Sequence, residues 1–206
     1  MHKPKINFNL YLISDRKLLS PALFWRRLQE ALQAGLPALQ WREKDLCDRD
    51  LYAMALEARA LTRRYGCKLL INARFDIAKA ANADGVHLPE DSLPIAAARR
   101  ALGPHALIGK STHSLVAAAQ AQKEGADFIT FGPVFATASK KRFGPPVGLD
   151  PLRRVCEKIK IPVFALGGIN RGNAASAVDQ GAKGIAVISA IWKAKDASAA
   201  VKELSG

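Results

Sequence analysis

Eight short apolar runs recur along this chain with amphipathic stretches between them, and that alternation limits the possible folds more than any single motif. The runs are LYLIS (10–14), PALQW (37–41), KLLIN (68–72), DGVHL (84–88), ALIGK (106–110), DFITFG (127–132), VFAL (163–166) and GIAVIS (184–189). Apolar runs this short, bounded by Gly, Pro, Asn or Asp, read as buried strands. Helical spacing is carried by Ala22–Ala34, Asp48–Tyr65, Phe75–Asn82, Pro94–Leu102, Ser114–Glu124 and Leu149–Lys158. In the second of these, Leu51, Met54, Ala58 and Leu61 recur near a period of about 3.6. A seventh helix follows Gly167-Gly168. Strands that alternate with helices pair in parallel, and eight such units close most naturally into a (β/α)8 barrel. The expectation is one TIM-barrel domain over 1–206. A doubly wound open sheet competes with it, but no G-x-G-x-x-G follows the first strand.

Composition excludes several classes. The chain has 206 residues, enough for one large core. No apolar stretch approaches the roughly 18 residues of a membrane span, and the N-terminus lacks a signal-peptide pattern. Cys47, Cys67 and Cys156 are widely spaced with no C-x-x-C, so neither a disulfide framework nor a zinc site is expected. The chain reads as cytoplasmic. Its formal charge of +13 falls largely at helical spacing, in Arg26, Arg27, Arg59, Arg63, Arg64, Arg99, Arg100, Arg153 and Arg154. These arginines are expected on solvated helix faces, with no nucleic-acid or membrane partner.

In a barrel of this kind, residues just past each strand face the active site. Reading them off gives Ser14 and Asp15, Arg42 and Lys44, Asn72, His87, Ser111 and His113, the Thr137–Lys141 loop, Gly167-Gly168, and Ser189. Nearly every one of these places is polar or cationic, which suits a phosphorylated small molecule. Arg42 and Lys44 form R-x-K, and alternation along an extended strand lets both meet one anion. A surface ion pair with Glu43 and Asp45 is the alternative for them. The loop GPVFATASKKRFGPP (132–146) places Thr137, Ser139, Lys140 and Lys141 where hydroxyls and ammonium groups can hold phosphate oxygens. Gly167 and Gly168 let an anion approach the main chain at a helix start. His113 can exchange protons near neutral pH, and His87 either lines the pocket or packs in the core. Glu90 and Asp91, just past the fourth run, are the candidates for a metal.

At these residues the chain resembles the thiamine phosphate synthase/TenI family. The resemblance rests on LYLISD, QWREKD, LLINARFDIA, ADGVHL, IGKSTHS, GADFITFGPVFATASKK, IPVFALGGIN and GIAVISAI, in order along nearly the whole chain. It implies a TIM barrel of thiamine biosynthesis. Synthase members join an aminopyrimidine methyl pyrophosphate to a thiazole phosphate and release pyrophosphate with magnesium. TenI members tautomerise a thiazole carboxylate phosphate without a metal. By resemblance, Arg42, Lys44, Asn72 and Ser111 match pyrophosphate ligands. Thr137, Ser139 and Lys140 occupy the T-x-T-K loop, and Gly168, Ser189 and Ile191 match the thiazole-phosphate site. Two synthase carboxylates are replaced, one by Ala73 and one by Ser92. Those departures, together with Leu88-Pro89 and His113 as general acid/base, favour a TenI-type tautomerase without a cofactor. Lys44 and Pro133 look more like the synthase, which stands as the alternative with Mg2+, and a noncatalytic phosphate-binding barrel is a third option. The implied partners are thiazole phosphate and, for the synthase, the pyrimidine pyrophosphate. A homodimer remains open.

Overall fold

The computed structural model describes residues 6–137 and 145–206, and in them the eight strands close into a parallel barrel in sequence order. The strands are β1 Leu10–Ile13, β2 Ala38–Trp41, β3 Lys68–Asn72, β4 Gly85–Leu88, β5 Leu107–Thr112, β6 Phe128–Phe131, β7 Val163–Leu166 and β8 Gly184–Val187. The helices around them are α1 Pro21–Gln33, α2 Asp48–Arg64, α3 Phe75–Ala80, α4 Ile95–Leu102, α5 Leu115–Lys123, α6 Leu149–Lys158, α7 Ala174–Val178, α8 Ser189–Trp192 and α9 Ala197–Ser205. β1 pairs with β8 through Leu10↔Ile185 and Leu12↔Val187, which closes the ring. The barrel is therefore the observed fold, and the open sheet is not.

Alternation along each strand sorts the apolar side chains into two layers. Inward-facing Tyr11, Leu70, Phe128, Phe164 and Ala186, with Phe8 below them, fill the barrel interior. Their rings meet edge-on, as in Phe8–Phe128 at 5.6 Å and Tyr11–Phe128 at 5.5 Å between centroids. Such edge-to-face pairs are the arrangement that aromatic quadrupoles favour. Outward-facing Leu12, Leu39, Leu69, Ile71 and Ile129 pack against the helices. In this layer Trp192 stacks on Phe24 at 4.6 Å and donates its indole N–H to the Ile13 carbonyl at 2.8 Å. Helix starts follow their sequence signals. Pro21 opens α1, Ser114 accepts from Ala117 N–H at 3.1 Å, and Asp196 accepts from Ala199 N–H at 2.9 Å.

β5 runs two residues past the expected end at Lys110, because Ser111 and Thr112 pair with Thr130 and Phe131 of β6. Ser111 thus stands on a rigid strand end. Gly109, two residues earlier on the same face, is required by packing. A Cβ there would lie 2.4 Å from the Phe128 ring and 2.5 Å from His87 Nδ1.

At the opposite end of the barrel the same clamp appears twice. Asp84, just before β4, accepts from Leu69 N–H at 3.0 Å and pairs with Arg59 at 2.6 Å and Lys68 at 3.0 Å. Asp127, just before β6, accepts from Ile108 N–H at 2.8 Å and pairs with Arg99 at 2.7 Å. Each carboxylate ties its own strand to the preceding strand and to a helix arginine. Arg59 and Arg99 are therefore structural ties and not members of a solvated face as their spacing suggested.

Burial alone would raise the Asp84 carboxyl. The Leu69 N–H, the Lys68 ammonium and the Arg59 guanidinium outweigh it and hold the group below the usual carboxylate range. A depressed folded-state pKa adds stability above the unfolded value of about 3.9, and that stability is lost as pH falls through the folded value. The melting temperature should drop on acidification below about pH 4, and Asp84→Asn should show a shallower drop over that window. Equal acid slopes for the two proteins would contradict this assignment.

Candidate functional site

A cavity of about 720 Å3 opens at the C-terminal ends of the strands, and it gathers Arg42, Lys44, Asn72, His87, Ser111 and His113 along with Glu90 and Asp91. Its apolar walls come from Ile13, Leu166 and Ile188. Six residues read from the ends of four strands, β2 to β5, thus share one mouth.

β2 supplies the cationic wall. Arg42 follows the end of β2, Lys44 lies in the turn that Leu46 N–H closes on the Glu43 carbonyl at 3.4 Å, and both reach the cavity. Ser14 at the end of β1 accepts the Arg42 N–H at 2.7 Å. The acidic neighbours face elsewhere: Glu43 pairs with Arg16 at 3.7 Å, and Asp45 pairs with Arg16 and with Lys17 at 3.3 Å. Alternation runs back from Arg42 to Gln40, which lines the floor and reaches the Tyr11 hydroxyl at 3.4 Å. Reading Q-x-R-x-K instead of R-x-K would have found Gln40 from the sequence.

β4, β5 and β6 supply a buried polar floor. His87 Nε2 lies 3.0 Å from Ser111 Oγ and 3.5 Å from Thr130 Oγ1. His87 is therefore both core and pocket: its ring packs against Tyr11 and Phe128 while its tip meets Ser111. Thr130 is a floor residue that the sequence reading did not single out, although it faces the same way as Phe128 two residues before it. Above the floor, His113 Nδ1 makes a short contact with the Gly132 carbonyl, and Glu90 accepts the His113 N–H at 2.7 Å. The Gly132 contact orients the imidazole at the rim.

The far side of the mouth is built from β6, β7 and β8. Gly167 and Gly168 sit at φ +99° and +66°. A Cβ on Gly167 would lie 2.6 Å from Pro133, and one on Gly168 would lie 2.5 Å from the Ala136 carbonyl. These glycines let the loop after β6 close onto the loop after β7, and Phe135 N–H reaches the Gly167 carbonyl at 3.0 Å. That packing role is additional to the anion approach expected of them. Ser189 is exposed at the start of α8, whereas the Ile191 side chain is fully buried and its N–H is bonded to the Ile188 carbonyl at 3.3 Å. Gly167, Gly168, Ser189 and the half-buried Thr137 lie at the same barrel end but outside the wall of this cavity. Ser139 and Lys140 lie outside the described residues.

Magnesium can be tested against the donors present. The two carboxylate positions expected from the resemblance do not fit, because Ala73 has no donor and the Ser92 hydroxyl accepts from the Lys110 ammonium at 3.0 Å. Among the described residues no group of three or more His, Cys, Asp or Glu is arranged to hold a metal. Glu90 and Asp91 nevertheless border the mouth beside Asn72. Magnesium needs only one or two carboxylates when substrate phosphates complete its shell. The donors suit an ion that arrives with a pyrophosphate.

Comparison with known proteins agrees with this geometry. The sequence model of the family described as thiamine monophosphate synthase matches residues 10–191. The chain is 51% identical over 187 residues to the putative thiamine-phosphate synthase of Geobacter sulfurreducens, covering 91% of this chain and 88% of that one. It is 44% identical over 200 residues to the thiamine-phosphate synthase of Clostridium novyi, covering 97% and 98%. Among solved structures, the thiamine phosphate pyrophosphorylase from Pyrococcus furiosus superimposes with a TM-score of 0.86 at 40% identity, over 96% of this chain and 93% of that one. The match runs from β1 through β8 and the relatives align over most of their length, so the chain belongs to the thiamine monophosphate synthase (TMP-TENI) family.

Proposed function

We propose that this protein is a thiamine phosphate synthase, which joins a pyrimidine methyl pyrophosphate to a thiazole phosphate and releases pyrophosphate. The observation that carries the reading is the cationic wall of Arg42 and Lys44 across one mouth from Ser111 and Asn72. The relatives aligned over most of their length are named for the same reaction. This reverses the preference drawn from the sequence, where the tautomerase led. Ala73, Ser92, Leu88-Pro89 and His113 drew that preference, but they are local departures, whereas the comparisons weigh the chain from end to end.

In the coupling, the thiazole ring nitrogen gives its lone pair to the pyrimidine methylene carbon. The carbon–oxygen bond to pyrophosphate breaks, and its electron pair leaves with the pyrophosphate. Negative charge grows on the leaving group, so positioned cations act most strongly in the transition state. Arg42 offers a planar fork to two phosphate oxygens and Lys44 a point charge. His87 positions the Ser111 hydroxyl from below at 3.0 Å. Magnesium held by Glu90 or Asp91 would neutralise part of the leaving-group charge. No proton is moved in the bond-forming step, which makes His113 a rim residue under this reading. The substrates are small molecules, and the reading places the chain in the cytoplasm. No helix among the described residues is long and apolar enough to cross a membrane.

The second reading, proton transfer on a thiazole carboxylate phosphate, is favoured by one observation, the imidazole of His113 held at the mouth by the Gly132 carbonyl. A pair of assays separates the two. The purified protein should form thiamine phosphate from both substrates with magnesium, and His113→Ala should keep that rate within about tenfold. Aromatisation of thiazole carboxylate phosphate that fails in His113→Ala, with no coupling in the wild type, would replace the synthase by the tautomerase. Substrate binding with neither reaction would leave the noncatalytic barrel.

A further inference from the structure

Residues 42 to 45 read Arg, Glu, Lys, Asp, so charge alternates in sign as the chain leaves β2 and enters the turn closed by Leu46 N–H on the Glu43 carbonyl at 3.4 Å. The two cations reach the mouth. Glu43, between them, points the other way and is only 4% exposed. Its two oxygens each accept the Arg16 N–H at 3.2 Å, and the neighbouring Ser14 hydroxyl helps to pull its carboxyl down. Ser14 in turn accepts the Arg42 N–H at 2.7 Å. Beyond it, Asp45 pairs with Arg16 and Lys17 on the same turn after β1. The acidic residues of the segment are thus tied to the turn at 14–17, and the ties fix which side of the chain faces the substrate.

A one-residue slip at the end of β2 would exchange the directions of Arg42 and Glu43. Glu43 would then face the substrate phosphates, and Arg42 would leave the mouth. We infer that Glu43 is a positioning residue for the anion-binding pair Arg42 and Lys44, acting through Ser14 and the Arg16 main chain and touching no substrate itself. This rests on the reading that Arg42 and Lys44 hold the pyrophosphate.

The charged groups facing Glu43 are Asp15 and Arg16, and burial is the largest influence on it. Burial raises its carboxyl above the usual range, Ser14 and the Arg16 N–H pull it down, Asp15 raises it, and the Arg16 charge lowers it. An acid whose folded-state pKa is raised gains no stability from its charge. A neutral isostere therefore loses the charge and one of the two acceptors that hold Arg16, and replaces it with an amide donor, without removing net stability. A residue with a purely structural role would behave in the opposite way.

The test compares Glu43→Gln and Ser14→Ala with the wild type in thermal melting, in calorimetric titration with inorganic pyrophosphate, and in steady-state coupling. Glu43→Gln should melt within a few degrees of the wild type or higher. It should bind pyrophosphate about tenfold more weakly, with KM raised for the pyrimidine pyrophosphate and unchanged for thiazole phosphate. Ser14→Ala should weaken pyrophosphate binding in the same direction by a smaller factor, and it carries the test if Glu43→Gln does not fold. Wild-type pyrophosphate affinity in both variants, or both KM values rising together with a large fall in melting temperature, would overturn the assignment. If the wild type binds no pyrophosphate, or Arg42→Ala binds it as the wild type does, the synthase reading fails first and takes this inference with it.

Discussion

Arg42→Ala should bind inorganic pyrophosphate about 100-fold more weakly than the wild type, a loss of about 2.7 kcal/mol. Calorimetry on the folded variant measures it. The size follows from position. Arg42 is half-buried at the end of β2, its N–H is fixed by Ser14, and its guanidinium is the planar donor set that phosphate oxygens match two at a time. Lys44 is exposed two residues on, so water and salt screen it more, and Lys44→Ala should cost only about tenfold. The coupling rate should fall with the affinity in both, because charge on the pyrophosphate grows toward the transition state. Equal effects of the two substitutions would show that the half-buried position carries no premium. A normal affinity in Arg42→Ala would remove the anion site from this wall.

The largest expected stability loss lies at the other end of the barrel. Asp127→Ala should destabilise the fold by about 3–5 kcal/mol in denaturant unfolding, with KM values for both substrates unchanged. The Asp127 side chain is only 1% exposed. Removing it strands the Ile108 N–H and leaves Arg99 without its carboxylate. Asp84 makes the equivalent tie with a side chain that is 17% exposed and shared between two cations, so Asp84→Ala should cost less. If Asp127→Ala unfolds at the wild-type denaturant concentration, the clamp is ornamental. If KM changes while stability does not, Asp127 acts on the mouth and not on the fold.

Much of the barrel could be read from the sequence because period-two burial and period-3.6 helices leave separate imprints on the chain. The eight apolar runs located every strand, and only β5 ran longer than expected, since pairing with β6 carries Ser111 and Thr112 into the sheet. The near wall of the mouth was legible for the same reason: Arg42, Asn72, Ser111 and His113 follow directly from strand ends. Side chains that act through neighbours were harder to see. Arg59 and Arg99 have the spacing of a solvated face, and only the tertiary position of Asp84 and Asp127 turns them into ties. The signal was present in the repeated ADG and ADF before β4 and β6. An ion pair of Glu43 with Arg42 and Lys44 was the alternative to anion binding, whereas Glu43 pairs with Arg16 across the β1–β2 boundary. Gly167 and Gly168 showed a need for backbone freedom, but not that Pro133 and Ala136 impose it. The reaction was the least legible. Substitutions at two carboxylate positions weighed heavily in a motif-level reading, although Glu90 and Asp91 bring carboxylates to the same rim.

The most direct measurement is a single-turnover experiment with the purified protein in excess over labelled pyrimidine pyrophosphate, with thiazole phosphate and magnesium supplied. One thiamine phosphate should form for each pyrophosphate released, at matching rates, with both signals lost together in Arg42→Ala. A wild-type protein that leaves the pyrimidine pyrophosphate intact, or releases pyrophosphate without forming the new carbon–nitrogen bond, would contradict the proposed coupling.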